Sequence, residues 1–478
     1  MLALVAVSAW QRWSLLASSP FPLGVDGYFY PIQLRSLLEH GTLRYPAAPL
    51  AFWLMAPLAW AAGPIAGAKL GAAIGCAAIA VPMYGVGRRL GGRGAGLLAA
   101  AAATTSAGSA YLTIEFVKNG LGLTVAACAL WAVLAALEAW TARRAAIAIA
   151  AVVAAALTHK MAAGLVVALA LPAVIAEARV RGVATRRVVA AVAGAAVVAV
   201  VAGALWPQRF VSAVDAGGVT HLVSATARWE LPALERPHLA MGYEALVGGA
   251  LAIAALVVLI RHRSALAPAP RAFAIAAAAL GLVIAIPWLA VDDGQGLGMR
   301  MRVAAFVPMA VCAAVVARAV VARTHQLVPV VAAAAVVAAA AIAFPGGRSD
   351  GEVLTHPALA SAVMALDGQI PDGAVVVVPE RHIAFMVAWY TGADVSLRPE
   401  PVPRDHRVRL LPLAFTGDGS PLDRALSDAR KEPLLDPPLG LHARHPNGLV
   451  LVTEPTWEWL LARLPDRARR HFAAWPTI

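Results

Sequence analysis

Residues 119–144 read NGLGLTVAACALWAVLAALEAWTARR. About twenty consecutive residues of this stretch are predominantly apolar, which is the length that an α-helix needs to cross the hydrocarbon core of a bilayer. The stretch ends at two arginines, Arg143 and Arg144. Because positively charged loops collect on the cytoplasmic side of a membrane, this pattern predicts a transmembrane helix whose C-terminal end faces the cytoplasm.

The same pattern recurs along most of the chain, which has 478 residues, of which 60% are hydrophobic and 14% are charged. The mean hydropathy is +0.72. Soluble domains carry about 25% charged residues, so the composition excludes an ordinary soluble protein, and its hydrophobicity excludes a disordered one. We therefore expect an α-helical polytopic membrane protein with about 11 transmembrane helices. The other predicted spans are residues 1–18, 66–87, 94–112, 145–158, 162–177, 188–206, 241–260, 272–291, 302–322 and 326–344.

The charged loops between these runs form two sets that alternate along the chain. The basic set contributes most of the net charge of +12 and is spread over short loops, which indicates membrane topology and not a nucleic-acid surface. We expect the basic loops to be cytoplasmic, with the N-terminus inside and the C-terminus outside. The basic loops contain Arg88, Arg89 and Arg93, Arg143 and Arg144, Arg179 to Arg187, Arg261 to Arg271, and Arg318 and Arg323. The acidic loops contain Asp26 and Glu39, Glu115, Asp215, Glu230 and Glu235, and Asp292 and Asp293.

Two apolar stretches near the start are ambiguous. Residues 48–62 would break the alternation if they formed a span, so we predict a juxtamembrane helix at the outer interface, anchored by Trp53 and Trp60. Residues 1–18 are short and contain Gln11 and Arg12. A cleaved signal peptide is the alternative for them, but no basic region precedes the apolar run.

Residues 345–478 have a different pattern, with a slight excess of acids over bases. Ala374–Pro379 reads AVVVVP and predicts a buried strand, and Arg381–Tyr390 predicts a helix that ends at Thr391–Gly392. Further on, HRVRLLPLAF and GLVLVTE predict strands, and TWEWLLARL predicts a helix. We expect a small extracytoplasmic α/β domain here. It follows a transmembrane domain over residues 1–344, whose first outer loop covers residues 19–65 and contains juxtamembrane helices.

The first outer loop contains the most informative sequence, GVDGYFYPIQLRSLLEHGTLRYPAAPLAFWLMAPLA over residues 24–59. The run from Asp26-Gly27-Tyr28-Phe29-Tyr30 to Glu39-His40-Gly41 resembles the first loop of GT-C polytopic glycosyltransferases. These include oligosaccharyltransferase catalytic subunits and polyprenyl-phosphate-mannose-type transferases. The resemblance is strongest over roughly residues 20–160. It implies a GT-C-like fold, a sugar donor linked to polyprenyl phosphate, and Asp26 as the catalytic or metal-binding acid.

Asp26 also has a chemical rationale of its own. An acceptor hydroxyl or amide needs a general base, or a metal held by carboxylates, to attack an anomeric carbon whose leaving group is phosphate. The structural alternative is an interfacial acid that caps the helix beginning near Pro31.

The second outer loop, YLTIEFVKNG from Tyr111 onward, holds Glu115 and Lys118 at the ends of two predicted spans. The resemblance implies that Glu115 is a second catalytic acid. The charge of Lys118 makes this residue a reasonable contact for the donor phosphate. Oligosaccharyltransferases typically have a paired acidic motif here, whereas this chain has Glu115 alone. A hard divalent cation such as Mg or Mn prefers several oxygen ligands, so Asp26 and Glu115 give a metal weak support. The alternative is an acid and a lysine solvated at the interface.

Two more sets of basic residues lie on the predicted outer side. LTHKMAAGL resembles a Leu-Thr-His segment of several GT-C families, and His159 and Lys160 could bind a lipid-linked phosphate. The alternative is a tight turn between two helices. Arg300 and Arg302 violate the positive-inside bias, and a guanidinium pairs well with phosphate. For them the alternative is pairing with Asp292 and Asp293.

Several expected motifs are missing from the sequence. There is no Trp-Trp-Asp-Tyr-Gly run, and Trp389-Tyr390-Thr391-Gly392 matches it only superficially, which argues against transfer to Asn-x-Ser/Thr. No ATP, dinucleotide or zinc-protease motif is present. We expect a cell-membrane glycosyltransferase that moves a sugar from a polyprenyl-phosphate donor to an unknown acceptor on the extracytoplasmic face, with inversion. The alternatives are a transporter or flippase for a lipid-linked sugar, and a non-catalytic scaffold that presents residues 345–478.

Overall fold

The computed structural model describes most of the N-terminal part of the chain and several separate segments after it. The described residues are 1–184, 186–187, single helical positions between 190 and 201, 236–264, 266–286, 297–321, 331–333, 357–378, 380–399, 401–412, 449–466 and 469–470. The predicted spans 188–206 and 326–344 lie mostly outside them. The acidic residues Asp215, Glu230, Glu235, Asp292 and Asp293 and the basic Arg323 lie outside them entirely.

The chain divides into two compact units. We call Met1–Ser18 with Ser36–Asp350 the helical unit, and Ser19–Arg35 with Gly351–Ile478 the sheet unit. The sequence predicts a boundary at residues 344 and 345 and assigns all of the first outer loop to the transmembrane domain. In the structure, the part of that loop containing Asp26 belongs to the same unit as the C-terminal residues. Helix α2, Phe29–His40, begins in the sheet unit and ends in the helical unit.

The described part of the helical unit is entirely helical between its turns. Its helices are α1 Leu2–Leu16, the end of α2, α3 Leu50–Ala62, α4 Pro64–Ala77, α5 Ala80–Gly91, α6 Arg93–Thr104, α7 Ala107–Ile114, α8 Val117–Glu138, α9 Ala142–Thr158, α10 Lys160–Val180, α11 Arg236–Arg261, α12 Pro268–Ala285, α13 Leu297–Val303 and α14 Phe306–Val321. Residues 48–62, predicted to form a juxtamembrane helix, contain α3.

Within the described residues, five helices are long and apolar enough to cross a membrane, or six if one bent pair counts as a span. The count of 11 is therefore not confirmed. One reason is length: α1 has 15 residues and α9 has 17, and each is shorter than a full span. The five helices are Pro64–Gly91, Val117–Glu138, Lys160–Val180, Met241–Arg261 and Pro268–Ala285, and the pair is Arg93–Thr104 with Ala107–Ile114.

Small residues let the helices of this unit approach closely. A Cβ atom added at Gly87 of α5 would lie 2.8 Å from both the Ala95 carbonyl oxygen and the Ala99 Cβ of α6. Such contacts are typical of helix pairs in membranes, where association depends on close packing. The outward surface is apolar as well: on α9, Ile147, Ile149 and Val153 are exposed. An apolar outer surface fits a lipid environment, and the protein is a membrane protein.

Two ionisable side chains stabilise the break between α6 and α7, and these two helices meet at an angle of 45°. Arg12 is almost fully buried, and its Nη2 donates to the Thr104 carbonyl at 2.7 Å and to Ser109 Oγ at 2.8 Å. Glu244 Oε2 accepts hydrogen bonds from Ser106 Oγ at 2.9 Å and from the Gly108 backbone N–H at 3.0 Å. Both residues satisfy groups that the broken helix leaves without their usual partners.

The sheet unit contains a mixed four-stranded sheet in the order β2-β1-β3-β4. Its strands are β1 Val375–Val377, β2 Asp394–Ser396, β3 Arg407–Pro412 and β4 Leu449–Thr453. Strand β1 is parallel to β2 and β3, while β3 is antiparallel to β4. The helices of this unit are α15 Pro357–Met364, α16 Arg381–Thr391 and α17 Glu454–Arg463.

Helix α16 connects β1 to the parallel strand β2, so these three elements form a βαβ unit. The helix ends where Gly392 adopts the left-handed conformation with φ of 70°, which glycine adopts without strain. The predicted strands at 374–379, 406–415 and 448–454 and the helices at 381–390 and 456–464 all contain elements of the observed type. Strand β2 and helix α15 were not predicted.

Candidate functional site

Asp26 lies in a tight turn of the sheet unit, just before helix α2. The Gly27 N–H donates to the Gly24 carbonyl at 2.9 Å, and the Phe29 N–H donates to the Asp26 carbonyl at 3.0 Å. Gly24 has a φ of 84°, in the region that favours glycine. Asp26 itself is only 7% exposed. A buried carboxylate requires compensation of its charge, because burial in a low dielectric disfavours the charged form.

Arg381, the first residue of helix α16, provides that compensation. Its Nε lies 2.8 Å from Asp26 Oδ1, and the guanidinium also lies over the Phe385 ring, 5.7 Å from the ring centroid. The Nε–Oδ1 contact is an ion pair without the geometry of a hydrogen bond. The pairing did not follow from the sequence, because the two residues lie near opposite ends of the chain.

His382 fixes the backbone of the same turn. Its Nδ1 lies 3.2 Å from the Gly24 carbonyl, which can only accept, so the ring donates from Nδ1. Burial lowers the pKa of His382 to about 4, with an opposing contribution from this hydrogen bond. The ring is therefore neutral near pH 7. Tyr28 packs against the ring of His382 and contacts the Tyr390 hydroxyl at 3.1 Å.

Two further contacts extend this interaction along α16. The rings of Phe29 and Phe385 have centroids 5.2 Å apart. The Arg35 guanidinium lies 4.2 Å from the ring centroid of Trp389, and its Nη1 donates to the Trp389 carbonyl at 3.3 Å. Contacts at helical spacing therefore hold residues 24–35 along one face of α16. The aromatic pair Trp389-Tyr390 was the sequence signal that could have indicated this face.

Glu380 precedes the helix and caps its N-terminus. Its Oε2 accepts from the Ile383 backbone N–H at 2.9 Å. Burial raises the pKa of Glu380, while hydrogen bonds from the Ile383 and His382 backbone lower it. The N-terminal turn of α16 thus presents a capping carboxyl, a paired guanidinium and a neutral imidazole in sequence.

The other predicted acid, Glu115, belongs to the helical unit. It is the C-terminal cap of α7 and is 8% exposed. Phe116, the next residue, is the N-cap of α8, and Lys118 lies half-buried in the first turn of that helix. The alternative interpretation placed both side chains in solvent at the interface, but Glu115 is buried.

His159 is the single residue between α9 and α10. Its Nδ1 accepts from the Met161 backbone N–H at 3.1 Å, so the side chain caps α10. The residue is 9% exposed and packs beside α8, where a Cβ at Gly122 would lie 2.9 Å from the His159 Cβ. Lys160 is exposed. The tight turn that the alternative interpretation predicted is present. Its presence leaves the predicted role of His159 and Lys160 in phosphate binding untested.

Arg300 and Arg302 lie on the short helix α13 and differ in burial. Arg302 is 6% exposed, and its Nη2 makes a long contact of 3.5 Å with the Ile286 carbonyl. Arg300 is half-buried. Helix α13 packs against α7 at Gly108, where a Cβ would meet the Val303 carbonyl. The helical unit therefore brings together the helices that carry Glu115, Lys118 and Arg302, while Asp26 belongs to the sheet unit.

A metal site receives no support from the described side chains. Among the residues that the structure describes, no group of three or more His, Cys, Asp or Glu residues could hold a metal ion. Asp26 has a guanidinium beside one of its oxygens. The assignment of Asp26 and Glu115 as metal ligands stays a prediction.

These features define the class: a helical, multi-pass membrane protein with a mixed α/β unit that carries part of the first loop. Its fold is similar to those of two solved proteins. ArnT from Cupriavidus metallidurans bound to undecaprenyl phosphate is 14% identical, with a TM-score of 0.51 over 95% of this chain and 97% of that chain, and its apo state gives the same values.

A second structural neighbour is an oligosaccharyltransferase. The Archaeoglobus fulgidus enzyme in the apo form is 13% identical, with a TM-score of 0.50 over 82% of this chain. The chain spans only 64% of the length of that enzyme. No family model and no curated protein matches the sequence.

Proposed function

We propose that the protein is a GT-C glycosyltransferase that transfers a sugar from a polyprenyl-phosphate-linked donor to an acceptor on the extracytoplasmic face of a cell membrane. The observation that carries the proposal is the buried Asp26 in a fold similar, over nearly its whole length, to that of ArnT. That neighbour was solved with undecaprenyl phosphate bound.

Asp26 acts as the general base in this reaction. It accepts the proton of an acceptor hydroxyl or amide while the acceptor atom forms a bond to the anomeric carbon. The bond between that carbon and the phosphate oxygen breaks, and polyprenyl phosphate leaves with both bonding electrons. Attack from the face opposite the leaving group inverts the anomeric configuration.

Cationic residues of the helical unit neutralise the leaving phosphate. We assign this role to Lys118, His159, Lys160, Arg300 and Arg302, with Glu115 as the second acid. Arg302 supports the assignment, because a buried guanidinium near helix ends is expensive in a membrane and such residues usually serve function. A guanidinium also forms paired bonds with phosphate oxygens.

The proposal is tested with purified protein in liposomes containing synthetic polyprenyl-phosphate sugars. The measurement is the release of polyprenyl phosphate, followed by mass spectrometry of the acceptor fraction. Transfer of at least one sugar supports a glycosyltransferase. Movement of donor across the bilayer without cleavage of the sugar–phosphate bond would instead identify the transporter alternative. A protein that neither cleaves nor moves any donor would leave the scaffold as the better interpretation.

The role of Asp26 is tested by Asp26→Asn, which keeps the size of the side chain but removes its charge and basicity. We expect transfer to fall by about 10²–10⁴-fold with membrane insertion unchanged. The matched control is Asp367→Asn, the same change at an exposed position of the sheet unit. Full activity of Asp26→Asn would end the assignment.

The orientation in the membrane needs its own experiment. A reporter that is active only in the cytoplasm is fused after Ile478, and cysteine labelling probes Arg88 to Arg93. We expect an inactive reporter and protected basic loops. An active reporter would show that the orientation is the opposite of the proposed one, and that the proposed face of transfer is wrong.

A further inference from the structure

We propose that Arg381 is a positioning residue for Asp26, so that the C-terminal part of the chain sets the orientation of the catalytic carboxylate. This inference rests on the proposed function for the role of Asp26. It adds a residue from helix α16 that neither the loop motif nor the pattern of the spans indicates.

The charge relation is direct. The Arg381 Nε lies 2.8 Å from Asp26 Oδ1, and the two side chains are 36% and 10% exposed. A carboxylate with so little contact with water depends on a nearby opposite charge. Arg381 supplies such a charge at ion-pair distance.

The guanidinium has few orientations available. Arg381 occupies the first position of α16, and its planar group lies over the Phe385 ring one turn further along the helix. Contacts with both an aromatic ring and a carboxylate restrict the orientation of this guanidinium. Asp26 therefore faces the positive charge of Arg381.

The backbone on either side of Asp26 is held independently of Arg381. Gly24 accepts from His382, and Tyr28 contacts both His382 and Tyr390. Removing the Arg381 charge therefore removes this ion pair from Asp26 without detaching the turn from α16. This separates the positioning of the carboxylate from the folding of the unit.

A positioning role makes a specific kinetic prediction. Misplacement of a catalytic group by about 1 Å can cost about 100-fold in rate. The effect falls on kcat, because the donor phosphate is bound by other residues and ground-state binding is unchanged. Lysine keeps the charge but loses the planar group and its stacking, so it restores only part of the rate.

The experiment compares Arg381→Gln, Arg381→Lys and the control Arg398→Gln in the full-length protein in liposomes. Arg398 is an exposed arginine of the same unit. We expect Arg381→Gln to lower kcat about 100-fold with the donor KM unchanged, Arg381→Lys to fall between it and wild type, and Arg398→Gln to match wild type. Unchanged kcat in Arg381→Gln, or an equal loss in Arg398→Gln, overturns the inference.

A second measurement does not depend on turnover. The rate at which a water-soluble carbodiimide modifies Asp26 is followed by peptide mass spectrometry, with Asp367 as the internal reference. We expect Arg381→Gln to leave the carboxylate without this neighbouring charge and to raise its modification rate relative to that of Asp367. If no donor is used by the wild-type protein, the proposed function fails, but a faster rate still supports the ion pair and an unchanged rate overturns it. If Arg381→Gln does not fold, Arg381→Lys is compared in the same two assays.

Discussion

The two units differ in the partners that surround their ionisable side chains. In the described part of the helical unit, Arg12 and Glu244 form hydrogen bonds with backbone carbonyl and N–H groups and with hydroxyls. In the sheet unit, Glu454 forms ion pairs with Arg407 and Arg409, at 3.2 and 2.6 Å. Asp26 likewise has Arg381. The comparison teaches that Arg12 and Glu244 bind backbone and hydroxyl groups, whereas Glu454 and Asp26 bind opposite charges. Glu380, which caps α16, shows that a carboxyl of the sheet unit can also bind the backbone.

The reason lies in what each environment leaves unsatisfied. A bent span in an apolar bundle exposes helix-terminal carbonyl and N–H groups that water cannot reach, and a charged side chain is a strong partner for them. The sheet satisfies its own backbone groups by strand pairing. The buried carboxylates of Glu454 and Asp26 pair instead with arginines. Three substitutions test this comparison, from the largest expected effect to the smallest.

Arg12→Leu should give the largest effect. It leaves the Thr104 carbonyl and the hydroxyls of Ser109 and Thr113 buried without this donor. Because each such group costs about 1–3 kcal/mol, we expect a loss of about 4 kcal/mol in stability, measured as a lower midpoint of thermal unfolding in detergent. Arg12→Gln retains two donors and should lose less. Equal stability of Arg12→Leu and wild type would show that the break does not depend on Arg12.

Glu454→Gln should have an intermediate effect, about 2 kcal/mol at pH 7, because it weakens two charge-assisted interactions. Burial alone would raise the pKa of Glu454, but the hydrogen bonds and charges of Arg409 and Arg407 outweigh burial and lower it. A carboxyl with a lowered pKa stabilises the fold above its unfolded value of about 4.3 and loses that contribution as the pH falls through the folded value. The measurement is hydrogen exchange of strand β4 at pH 7 and at lower pH. Wild type should lose protection on acidification more steeply than the variant, and parallel pH dependences would contradict the pairing.

Glu138→Gln should have the smallest effect. The Arg89–Glu138 pair of the helical unit measures 3.1 Å, but its side chains are 23% and 42% exposed. Exposed pairs contribute about 0.5 kcal/mol or less, and salt screens them. Thermal unfolding at two salt concentrations checks this expectation. A large effect that persists in high salt would mean that the pair belongs with the buried charges.

The sequence predicted local features well and long-range contacts poorly. The predicted span at 119–140 corresponds to the observed helix Val117–Glu138. The helix predicted to stop at Gly392 begins at Arg381 as expected. Length, apolar composition and glycine conformation are local properties, so a pattern can indicate them. The pairs Asp26–Arg381 and Ser106–Glu244 depend on how distant segments pack. Helix length and the bend between α6 and α7 likewise depend on tertiary structure, and the predicted count of 11 spans is not confirmed by the described residues.

The assignment of Ser19–Arg35 to the sheet unit has a consequence for biosynthesis. The loop containing Asp26 is made early, but its partner helix α16 begins at Arg381 and is made much later. At a synthesis rate of about 5–20 residues per second, the loop waits roughly 20–70 s for that partner. A chain interrupted before α16 would already contain most of the membrane helices, yet its acid would lack both the guanidinium and the imidazole beside it. Translation order thus makes synthesis of α16 a condition for assembling the surroundings of Asp26.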